Sequence, residues 1–141
     1  MKNKLFTILF IIGCFAVDAY AFVAQECKAR DGWTAFQSPK SVETKLMSDL
    51  ANKDISLGQP FSFQVAVCPK SKNTPDRIVA NATMPAHKHG MNYTPTVTFD
   101  EETNLYSIND FLFHMPGVWK VSVSTYHGDI ATHYVKIITV S

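Results

Sequence analysis

Two short stretches of this 141-residue chain carry the side chains best suited to chemistry. The first, MPAHKHGMNYTP, runs from Met84 to Pro95; the second is FHMPG, Phe113 to Gly117. His87, His89 and Met91 occupy alternate positions, so an extended segment would send all three to one side. His114 and Met115 repeat the imidazole–thioether pairing before a Pro-Gly turn. A thioether is a soft donor that favours Cu(I), and imidazole serves both copper states. Zinc would more often recruit Cys or a carboxylate, and none lies beside either pair. The expected metal ligands are therefore His87, His89, Met91, His114 and Met115, with copper as the ion, provided the two loops meet. A bland alternative stands beside this one: a proline-bounded turn whose histidines only bond backbone groups.

The other candidates are weaker. Met84 reads equally as a buried strand end, and Met115 as a core residue within an apolar run. His127, in TYHGD, suits a solvated hairpin turn, and His133 suits a strand position facing solvent. No Gly-x-Ser-x-Gly, His-Glu-x-x-His or phosphate-cradling glycine loop is present, so no enzyme is expected. A hydrolase or redox enzyme would need a carboxylate beside the histidines, and Asp110 is the nearest. A blue-copper centre needs a Cys just before a C-terminal His and Met, whereas Cys27 and Cys68 precede every histidine. A copper/zinc dismutase site needs six histidines and an aspartate, and this chain has five histidines.

These residues need a scaffold, and the rest of the chain describes one. Residues 1–21 read as a secretory signal peptide. Lys2 and Lys4 precede the apolar run LFTILFIIGCFAV, and Ala19 and Ala21 are small residues at the cleavage positions. A second reading is open there, because Ile11 to Cys14 resembles a lipoprotein cleavage box. Removing Lys2, Lys4 and Asp18 takes 13 basic and 12 acidic residues to 11 of each. That balance argues against nucleic acid and anionic membrane surfaces as partners. A periplasmic or secreted protein with no span after cleavage is expected. Cys27 and Cys68 then most simply form one disulfide. It would close a loop of about 40 residues and stabilise by roughly 4 kcal/mol. Two free thiols acting as metal ligands are the competing reading.

From Phe22 the chain has the length of a single domain, with an N-terminal lead-in and first strand (22–55) and a core (56–141). VETKLMSDLANK is ambiguous between helix and strand. Beyond it, period-two alternation dominates. Phe61, Phe63, Val65 and Val67 share a face, as do Ile78, Ala80 and Ala82. TPTVTF and LYSINDFLF read as further strands. Trp119, Val121, Val123 and Thr125 oppose Val118, Lys120, Ser122 and Ser124, and ATHYVKIITVS closes the chain. Prolines flank these strands without interrupting them. An all-β sandwich of about seven strands is the expectation.

The stretches MPAHKHGMNYTPTVTF and YSINDFLFHMPGVWKVSV resemble a family of small exported bacterial domains, described as YtkA-like or FixH-like. The matching residues are Met84, Pro85, His87, His89, Gly90, Thr94, Pro95, Phe113, Met115, Gly117 and Trp119. The resemblance covers roughly Ser56 to the C-terminus. It implies an immunoglobulin-like sandwich, a strand over Val42 to Leu50, and copper handling or oxidase assembly in the envelope. Met91 and His114 depart from the family pattern, and both departures add donors. The expected function is a periplasmic copper chaperone or scavenger that passes its ion to an envelope partner, with affinity weakening in mild acid. The alternative is a metal-free envelope interaction module in which the His loop is structural.

Overall fold

The computed structural model describes residues 30–42, 44–68 and 74–141. The expected signal peptide, Cys14 and Cys27 lie outside the described residues, and so does one partner of the expected disulfide. Cys68 is buried at the end of its strand.

Among the described residues, nine strands form two antiparallel sheets. They are β1 (Thr34–Ala35), β2 (Lys45–Ser48), β3 (Phe61–Cys68), β4 (Arg77–Met84), β5 (His89–Gly90), β6 (Thr96–Asp100), β7 (Leu105–Phe111), β8 (Gly117–His127) and β9 (Ile130–Val140). β1 and β5 are two residues each, so seven strands have four residues or more, in line with the expected number. One sheet has the order β1-β2-β3-β7-β6 and the other β5-β4-β8-β9. Among the described residues, no helix is long and apolar enough to cross a membrane.

Alternation explains the layers. Side chains on a strand point alternately to opposite faces, so each strand gives one row to the core. Phe63 and Val65 of β3 are buried, as are Ile78, Ala80, Ala82 and Met84 of β4. Trp119, Val121, Val123 and Thr125 of β8 form the inner row expected from sequence. Rows from both sheets merge into one apolar core. Each large side chain buried there contributes about 1.5–3 kcal/mol.

The ambiguous VETKLMSDLANK segment resolves as a strand followed by a turn. Leu46 and Ser48 are buried at period two in β2, and a 3-10 turn covers Leu50–Asn52. The described part of the lead-in carries regular pairing. β1 pairs with β2, and Gln37 then bridges to Val135 of the opposite sheet. Lys136 closes this seam, donating to Thr34 Oγ1 at 2.6 Å and to the Ala35 carbonyl at 3.0 Å.

One irregularity shapes the functional end. β7 holds one extra residue against β3, between the pairs Phe63–Ile108 and Phe61–Phe111. Asp110 lies there at φ 60° and is exposed. The bulge resets the phase of the strand. Without it Asp110 would follow Ile108 into the core. With it, Phe111 and Phe113 turn inward and His114 is left on the surface.

Candidate metal centre

The two histidine-bearing loops meet at one end of the paired sheets. The first is a tight turn and not an extended segment, so the alternate spacing of His87, His89 and Met91 does not by itself set their side. Residues Pro85–His87 form a 3-10 turn, with Pro85 in its first turn and Lys88 left-handed at φ 52°. Proline's fixed φ suits the start of such a turn. His89 and Gly90 then return as β5 against Met84 and Thr83. The Met91 N–H extends this pairing to the Ala82 carbonyl at 3.1 Å. His89 and Met91 thus lie opposite Met84 and Ala82, two residues that face the core. Despite the turn, the rings of His87 and His89 remain neighbours, 5.8 Å apart between centroids and 26° from parallel.

The second loop, residues 112–116, is held through its carbonyls. Tyr93 Oη donates to the Leu112 carbonyl at 2.7 Å. The Gly58 N–H donates to the Phe113 carbonyl at 2.8 Å. Trp119 Nε1 donates to the Met115 carbonyl at 3.0 Å. Three separate parts of the chain therefore fix the backbone on both sides of His114. Its ring lies 5.7 Å from His89, so His87, His89 and His114 form a row.

Trp119 underlies that row. Its ring is 5.3 Å from His114, edge to face, and 6.4 Å from His89. Phe113 packs on the indole at 5.2 Å and connects it to Phe111 and Phe61. Each such pair adds about 0.5–1.5 kcal/mol beyond burial. The surface imidazoles thus rest on a rigid aromatic column that belongs to the core.

The expected sulfur donors are less exposed. Met91 and Met115 are half-buried and pack against the core, while Met84 is a fully buried strand end. His127 and His133 lie apart from the row. His127 ends β8 beside the hairpin turn, and His133 in β9 places Nδ1 2.8 Å from Ser124 Oγ. Asp110 is exposed at the bulge.

The fit to a metal is partial. Two imidazoles bound to one ion through bonds of about 2.0 Å lie roughly 5 Å apart between centroids, close to the spacing here. Yet the rings stack more than they converge. Among the described residues, no three His, Cys, Asp or Glu side chains form a ready metal-holding group. Chelation requires the exposed rings to turn, and the broad outer torsion of histidine makes that inexpensive.

Sequence reasoning missed Trp119 and Tyr93 as parts of this site. The Pro-Gly step two residues before the tryptophan was the available signal. Comparisons with protein-family models, curated proteins and solved structures return no match for the chain.

Proposed function

We propose that this chain is an exported copper-binding protein, a carrier or scavenger, that takes up its ion at His87, His89 and His114. Met91 and Met115 are the thioether donors closest in sequence to that row. The observation that carries the reading is the meeting of two loops from different strands, with imidazole centroids 5.8 and 5.7 Å apart. The protein binds the ion and hands it to an envelope partner without turnover. The resemblance to the YtkA-like or FixH-like family belongs to this reading, as do the leader and the Cys27–Cys68 disulfide. An immunoglobulin-like fold is supported by the sheet orders. β2-β3-β7-β6 and β5-β4-β8-β9 follow the order of the A-B-E-D and C′-C-F-G sheets of such domains.

A second reading has its own support. The near-parallel stacking of His87 and His89 suits a structural turn in a metal-free interaction module. A Cu(I) competition titration against a chromogenic chelator separates the two, using the chain from Phe22 and a His87→Ala/His89→Ala double variant. The copper reading expects one equivalent bound by the wild type and lost in the variant. Weak binding that ignores the substitutions contradicts it and favours the interaction module.

A further inference from the structure

The donors at this site are all uncharged when they bind. No Asp or Glu lies between Ala80 and Phe99 or between Phe111 and Lys120, the stretches that contain both loops. Divalent zinc takes four ligands and commonly draws on thiolate or carboxylate, which offset its charge. Nothing in either loop offers that compensation.

The inner side of the row is closed. Trp119 is 0 % exposed, and its ring lies beneath both His89 and His114. Phe113, equally buried, backs the indole. Water and further ligands can reach an ion on the imidazoles only from the outside, which limits its coordination number. An indole face also attracts a cation most strongly when the cation has shed its water. Its N–H is engaged with the Met115 carbonyl, which fixes the ring plane.

Resting on the copper reading above, we propose that the site selects monovalent Cu(I) in low coordination, and that the Trp119 ring closes its inner side as a cation-binding face. Trp119 is then both a positioning residue for the Met115 loop and the determinant of charge selectivity.

The test uses the chain from Phe22 with Trp33→Phe, so that Trp119 is the only tryptophan. Emission and near-ultraviolet absorbance are followed during titration with Cu(I) without oxygen, with Ag(I) as its redox-inert counterpart, and with Zn(II). Cu(I) and Ag(I) are expected to quench the indole saturably at one equivalent and to add a new near-ultraviolet band. Zn(II) at the same concentrations gives neither. Trp119→Leu should lower Ag(I) affinity about thirty-fold, the scale of a desolvated cation–π contact. Trp119→Tyr, which keeps an aromatic face, should lose less.

Zn(II) binding as tight as Ag(I) would overturn the inference. So would a folded Trp119→Leu variant with wild-type Ag(I) affinity. If the leucine variant fails to fold, the tyrosine variant and the indole band of the parent decide the matter. Metal bound with no indole signature defeats this inference alone, whereas no metal bound by the parent defeats the copper reading itself.

Discussion

Tyr106 and Tyr93 show how much a single hydroxyl depends on its surroundings. Tyr106 is buried against Phe99 at 4.6 Å, and its hydroxyl has no hydrogen-bond partner among the described residues. Leaving a buried polar group unpaired costs about 1–3 kcal/mol. Tyr106→Phe is therefore expected to hold or raise stability in a chemical-denaturation curve. Tyr93→Phe removes the bond to the Leu112 carbonyl and should cost about 0.5–1.5 kcal/mol. It should also loosen the His114 loop, which would appear as weaker Cu(I) binding. Equal effects of the two substitutions would contradict this assignment. Sequence could identify both tyrosines but not their partners, because those lie 19 residues away in one case and are missing in the other.

At the scale of elements, the site depends on two unusual backbone positions. Lys88 is left-handed at φ 52°, which turns the chain between His87 and His89. A β-branched residue there should cost about 1–2 kcal/mol and misplace both rings. Lys88→Val is thus expected to lower both melting temperature and copper affinity, while Lys88→Gly leaves both near wild type. Gly117 has φ +131°, and a Cβ there would lie 2.5 Å from Met84 Cε. Gly117→Ala should destabilise by roughly 1–3 kcal/mol, chiefly through the strain of a Cβ at this φ, since the Met84 side-chain end can shift. Period-two alternation made β3, β4 and β8 legible, since each buries one row. It could not reveal the Asp110 bulge or the 3-10 turn at Pro85. A bulge depends on the register of two strands, and the turn depends on a left-handed lysine that local preference disfavours.

Across the whole molecule, burial couples stability to pH. Burial raises the phenol pKa of Tyr93, Tyr106 and Tyr134 above the ordinary value. Desolvation of the phenolate is the largest cause in each case. The fold thus favours the neutral phenols. Their contribution is complete below the unfolded value of about 10 and is lost as pH rises through the higher folded values. Burial lowers Lys136, a cation that the fold disfavours, so rising pH relieves a cost there. Among the described residues, three phenols against one amine predict a net fall in the urea midpoint above pH ~10. Lys136→Met should steepen that fall, and a midpoint that rises instead would contradict it.

The all-β architecture was legible because alternating rows must bury themselves between two sheets. The meeting of the two histidine loops was not, since it depends on which strands become neighbours. That meeting is the centre of the functional reading, and the five histidine ring resonances in NMR test it within one molecule. On adding one equivalent of Ag(I), the rings of His87, His89 and His114 should shift together, while those of His127 and His133 stay in place. Shifts spread over all five rings, or confined to His127 and His133, would contradict a site built from these two loops.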